Sequence, residues 1–105
     1  MKEESRINWS LGAKKIDLKI RAFNPFPGAT FQSGEELIKV WYSEYLGEKT
    51  NAPSGTLLVI EKSGVVVAAA GETMRLTELQ KPGGKRIAAY QLAQSMGWQV
   101  GHQFI

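Results

Sequence analysis

The sequence predicts a small, closed or half-closed β barrel with a helix on either side of it in the chain. Three observations carry this. Five short β-forming runs separated by turn residues fill roughly fifty residues, Ala29 to Gln80. Apolar residues recur at helical spacing before that block and again after it. A length of 105 residues with 43% hydrophobic content suits one core and makes a second domain unexpected. With no cysteine in the chain, neither a disulfide nor a thiolate metal site contributes, so packing must hold the fold.

The first helix follows from Ala13, Ile16, Ile20 and Phe23, with Ser10 placed to cap it and with Lys14 and Arg21 on the opposite face. It must end at "NPFPG", because Pro25 disfavours the helical conformation at Asn24 and neither proline has an N–H to donate. "ATF" (Ala29 to Phe31) is a short strand, and "LIKVWYSE" (Leu37 to Glu44) a longer one with Ile38, Val40 and Tyr42 on one face. The polar stretch "YLGEKTNAPSG" then reads as a surface loop. "TLLVI" (Thr56 to Ile60), "VVVAAA" (Val65 to Ala70) and "MRLTELQ" (Met74 to Gln80) complete the five. The first two of these three lack alternation, which predicts central strands covered on both faces, with the helices as the covering elements. Ala89, Leu92, Ala93 and Met96 predict a final helix over Ile87 to Met96, capped by Gly97.

The net charge is only +3, but it is unevenly spread. Residues 13 to 21 hold Lys14, Lys15, Lys19 and Arg21 against Asp17, and residues 79 to 87 hold Lys81, Lys85 and Arg86 against none. The remainder of the chain is therefore net acidic. Two concentrated basic segments are the footprint of a phosphate-backbone binder, and equally of two lysine-rich solvated faces. Trp41, Tyr42 and Tyr45 are able to stack on unpaired bases. Trp9, Phe23, Phe26, Phe31 and Trp98, beside helix ends and turns, are assigned to packing, while Tyr45 in the polar loop is expected to be exposed.

Chemistry finds little to work with. The only histidine is His102, three residues from the last, and the carboxylates form no Glu-x-x-His or Asp-x-Asp cluster for a metal. "LQKPGGKRI" (Leu79 to Ile87) fails as a nucleotide-binding P-loop, since Leu79 stands where its first glycine belongs and Arg86 where its hydroxyl belongs. Two readings of it stay open. Gly83 and Gly84 could lead into a helix whose free N–H groups hold an anion beside Lys85 and Arg86, or they could form a plain turn with exposed cations. No apolar run approaches the roughly 18 to 20 residues of a membrane span, and "MKEESRINW" lacks a signal peptide's apolar stretch, so the chain reads as soluble.

The order "INWS…IRAFNPFPGATF…IKVW…APSGTLL…ELQKPGGKR", from Ile7 to Arg86, resembles the C-terminal domain of methionyl-tRNA formyltransferases. "IRAFNPFPGA" and "LQKPGGKR" are its most specific elements. Phe26 departs from the family's usual tryptophan, and Ser54 is an extra residue in "APSGT"; both are conservative changes. The resemblance implies an OB-like, small Greek-key barrel of five to six strands with flanking N-terminal and C-terminal helices. It implies a parent enzyme of bacterial cytoplasm and of translation initiation, which moves a formyl group from its co-substrate 10-formyltetrahydrofolate to initiator methionyl-tRNA. It further implies that catalysis belongs to an N-terminal Rossmann-like domain with no counterpart here, so this chain, starting at Met1-Lys2-Glu3 near the family's domain boundary, is expected to be a separated and inactive domain. Its expected partners are that catalytic domain and the phosphate backbone of initiator tRNA, held by Lys81, Lys85 and Arg86 and by Lys14, Lys15 and Arg21. Arg21 has a second reading, as a structural residue bonding the turn that follows it. The alternative function is an accessory structural or interaction domain of a related formyltransferase using folate or a sugar nucleotide.

Overall fold

The computed structural model describes residues 5–105, and the expected boundary at Met1-Lys2-Glu3 lies outside the described residues. Six antiparallel strands form one sheet: β1 (Ala29–Ser33), β2 (Glu36–Lys49), β3 (Leu57–Glu61), β4 (Gly64–Ala69), β5 (Glu72–Gln80) and β6 (Arg86–Ala88). Their spatial order is β1-β2-β5-β4-β3, with β6 also paired to β5. Because β2 runs along one edge of β5, β4 and β6 must share the other. The hairpin-linked strands β3, β4 and β5, with β2 returning beside β5, make the expected Greek key.

Residues 101–105 join the two outer strands. Leu57 N–H donates to the His102 carbonyl at 2.8 Å and Phe104 N–H to Gly55 at 2.9 Å, while Ile105 and Gln32 exchange bonds of 2.9 and 3.0 Å. This tail thus spans from β3 to β1 and closes the barrel. Beneath it the rings of Trp9, Phe31, Trp98 and Phe104 pack together, with Phe31 and Phe104 centroids 4.6 Å apart. The Trp98 indole N–H finds its acceptor in the buried Ser33 hydroxyl at 2.8 Å. Helix α1 (Ala13–Phe23) buries Ala13, Ile16 and Ile20 in the core, and helix α2 (Ala89–Met96) buries Ala89, Leu92 and Ala93. Gly97 caps α2 in the left-handed conformation, φ +68°, as its position predicts.

Five expectations need correction. Ser10 does not cap α1: it lies in a 3₁₀ turn, Trp9–Leu11, that Asn8 caps, and Gly12 at φ +102° breaks the path before α1 begins. "YLGEK" is not loop but the second half of β2, where Tyr45 faces Met74 and Lys49 faces Glu72. Its solvated side chains hide a backbone that pairs with β5 on either side of an irregularity between Tyr45 and Lys49. Tyr42 leaves the face of Ile38 and Val40 because the register shifts between Val40 and Tyr42, and it stands 55% exposed. β4 is buried along its whole length, but β3 is an outer strand on which Leu57 is buried and Val59 exposed. Finally, Arg86–Ala88 is strand β6 and not the first turn of a helix. Gly83 at φ +74° folds the chain back so that Arg86 pairs with Gln80.

Candidate nucleic-acid interface

With residues 86–88 in strand β6, Lys85 and Arg86 do not open a helix and have no anion-holding N–H groups behind them; what the hairpin builds instead is a cationic and aromatic surface. Lys39, Gln80 and Arg86 stand in one row across β2, β5 and β6. Side chains alternate along a strand, and Ile38 and Val40 are buried, so Lys39 points outward. The Lys39 ammonium lies 4.0 Å from the Trp41 ring centroid and the Arg86 guanidinium 4.6 Å from it. Both are within cation–π range.

Hydrogen bonds hold that indole in place. Its Nε1–H donates to Gln80 Oε1 at 2.8 Å, and Gln80 Nε2 donates in turn to the Gly84 carbonyl at 2.7 Å, which ties the β5–β6 turn to the ring. On the other side, Lys39 Nζ donates to the Pro25 carbonyl at 2.8 Å, and Asn24 Nδ2 donates to the Trp41 carbonyl. The "NPFPG" loop is thereby clamped against β2. A pocket of about 230 Å³, lined by Ile20, Arg21, Asn24, Trp41, Tyr42 and Ser43, opens beside the indole. A shallower one of about 260 Å³ lies between Leu37, Lys39, Gln80, Lys81, Pro82 and Gly83.

The expected site residues therefore divide. Arg21, Lys81 and Arg86 gather around Trp41 and Gln80, and Lys85 is exposed in the adjoining turn. Lys14 and Lys15 are exposed on the first turn of α1, elsewhere. The Lys14 charge acts on Glu72, the first residue of β5, whereas Arg86 pairs with Gln80, the last. Those ends of β5 are about 26 Å apart. Glu72 also accepts from Tyr45 Oη at 2.9 Å and from Lys49 Nζ at 3.4 Å. These partners, Tyr45 first, hold its carboxyl below the usual range despite partial desolvation, and the same contact raises the Tyr45 hydroxyl.

Two of the gathered cations have carboxylate partners. Arg86 pairs with Glu78 at 3.1 Å. Arg21 pairs at 3.1 Å with Asp17, one turn back in α1 and not in the turn that follows, while the buried Asp17 also accepts from the Ser43 hydroxyl at 2.6 Å. Arg21 is 68% exposed, so its other N–H groups face solvent. Lys39 was missed by counting charge along the chain, because it is a lone cation between core residues. Its outward alternation with Ile38 and Val40 was the available signal. Among the described residues no His, Cys, Asp or Glu group could hold a metal ion, and His102 packs against Trp98 and Phe104 in the closing tail.

Fold and surface together define a small Greek-key barrel module whose most elaborated face carries cations and rings. The chain belongs to the formyl transferase C-terminal domain family, whose model matches residues 1–97. Methionyl-tRNA formyltransferase of Variovorax paradoxus is 41% identical over 98% of this chain, and that of Acinetobacter baumannii strain SDF is 43% identical over 96%. The chain spans about a third of the length of these relatives, 33% and 32%. A solved structure of HypX from Aquifex aeolicus in complex with tetrahydrofolic acid shares the fold, with a TM-score of 0.77 at 16% identity over 95% of this chain and 18% of that one. The resemblance carried by "IRAFNPFPGA" and "LQKPGGKR" is thus borne out, as is the small barrel with flanking helices.

Proposed function

We propose that this chain is the tRNA-holding domain of a methionyl-tRNA formyltransferase, whose catalytic N-terminal domain carries formyl from 10-formyltetrahydrofolate to initiator methionyl-tRNA in the bacterial cytoplasm. The domain contributes position and no chemistry. The observation that carries this reading is the convergence of Arg21, Lys39 and Arg86, from three separate stretches of sequence, around one hydrogen-bonded indole, with Lys81 beside Lys39 and Gln80 in the adjoining pocket. Phosphate contacts orient a nucleic acid without reading its sequence, and clustered cations on a fixed surface are what that task requires. Lys85 adds to this cluster from the turn. Lys14 and Lys15, at the far end of β5, are in place to meet a different part of an extended RNA.

The test is a titration of initiator tRNA at two ionic strengths with the unmodified chain and with a Lys81→Ala, Lys85→Ala pair. Binding should be weak, should fall steeply with salt, and should show a shallower salt slope in the variant, by roughly one unit for each phosphate that the variant leaves unneutralised. Salt-insensitive binding, or none even at low salt, would return the domain to an accessory role in a related formyltransferase. Formyl transfer by the chain alone should read zero.

A further inference from the structure

Phe26 was expected to pack, yet it is 87% exposed, more than any other large apolar residue described. A single exposed apolar residue needs no explanation. The way this one is held does. Pro25 and Pro27 flank it. Lys39 Nζ fixes the Pro25 carbonyl at 2.8 Å, Asn24 bonds the Trp41 carbonyl, and Gly28 N–H closes the loop on the Phe23 carbonyl at 2.9 Å. Gly28 takes φ +87°, a conformation that favours glycine, and a Cβ there would stand 2.4 Å from Lys39 Cε and push the lysine side chain from its place on the loop. The backbone is thus fixed on both sides of a ring that touches almost nothing.

We propose that Phe26 is a stacking platform for one unpaired nucleobase, with Lys39 and the neighbouring cations taking the flanking phosphates. The inference rests on the RNA-holding reading and adds a base contact to it. Charge complementarity chooses the occupant: the loop sits on Lys39 beside Arg86, and the carboxylates that pair within this cluster, Glu78 and Asp17, do so with Arg86 and Arg21 and not with Lys39. An apolar protein segment docking here would leave the Lys39 charge without an anion, whereas an unpaired nucleotide offers a flat ring and an anion together. A duplex buries its base faces, so the preferred ligand is a single-stranded segment or end. Preorganisation of the loop lowers the entropy lost on stacking.

The experiment compares the chain with Phe26→Ala, Phe26→Leu and Phe26→Trp, using an RNA duplex with a single-stranded 3′ extension and the same duplex without it. A 2-aminopurine in the extension reports stacking directly on the unmodified chain. Phe26→Ala should weaken binding of the extended RNA about tenfold, toward the lower end of what base–aromatic stacking contributes. Its salt slope and its affinity for the blunt duplex should stay unchanged, and Phe26→Trp should bind as the original does. If Phe26→Leu binds the extended RNA as well as phenylalanine does, or if 2-aminopurine fluorescence is the same free and bound, stacking is overturned while the electrostatic reading stands. If the unmodified chain binds neither RNA, the RNA-holding reading itself falls.

Discussion

Removing the carboxylate of Glu78 should strengthen tRNA binding. Glu78 holds Arg86 at 3.1 Å, with side-chain exposures of 49% for the arginine and 31% for the glutamate; the Glu78 Oε1 that makes the contact is itself shielded from solvent, and water reaches the pair from the arginine side. A phosphate seated on the outer side of the guanidinium would lie about 6 Å from that carboxylate, where two like charges repel by about 0.7 kcal/mol in water. Glu78→Gln keeps the shape, frees Arg86 and removes the repulsion, a gain of roughly threefold in affinity at low salt. At about 0.15 M ionic strength the Debye length of about 8 Å roughly halves the effect, and the gain should fall below twofold. Fluorescence anisotropy titrations of labelled initiator tRNA at both salt levels measure this. A partly exposed pair of this kind contributes on the order of 1 kcal/mol to stability, so the variant should remain folded. Equal affinities at low salt, or weaker binding by a folded variant, would refute a phosphate at Arg86.

Three further outcomes concern the scaffold. Phe31→Ala removes the ring at the centre of the aromatic cluster, fully buried at 0% exposure, and should cost about 3–5 kcal/mol in urea unfolding; a loss under about 1 kcal/mol would show that the cluster is not a structural core. Ser33→Ala strands the buried Trp98 indole N–H and should cost about 1–3 kcal/mol, which a midpoint equal to that of the unmodified chain would contradict. Glu72 has a depressed carboxyl pKa, caused first by Tyr45 and then by Lys49 and Lys14, so its contribution is present above the usual carboxylate range and lost as pH falls through the depressed value. Unfolding curves of the chain and of Glu72→Gln should therefore differ at neutral pH and converge in acid, and an offset that persists undiminished into strong acid would disprove the linkage.

Local pattern was enough for much of the fold. Ala13, Ile16 and Ile20 marked the buried side of α1, the unbroken run of β4 marked a strand covered on both faces, and Gly97 marked the end of α2. Each of these features is encoded in the spacing of its own residues. Three of the misreadings have an opposite cause. β6, the second half of β2 and the closing tail are backbone pairings whose partners lie elsewhere in the chain, and backbone hydrogen bonds leave no mark on side-chain type. "QFI" at 103–105 looks like a frayed end until Gln32 and Gly55 are placed beside it.

The site divides in the same way. By itself the sequence determined which residues carry positive charge, that two segments concentrate it, and that "NPFPG" and "KPGG" are turns, because charge and proline or glycine conformation are properties of single residues. Only the tertiary structure decided that Arg21, Lys39, Lys81 and Arg86 share one surface, that Lys14 does not, that Lys39 and Arg86 both lie over the Trp41 ring, and that Phe26 faces solvent. The physical reason is that strand register brings residues 39, 80 and 86 into a single row, and register is set by pairing across the whole sheet, not by any stretch of chain alone.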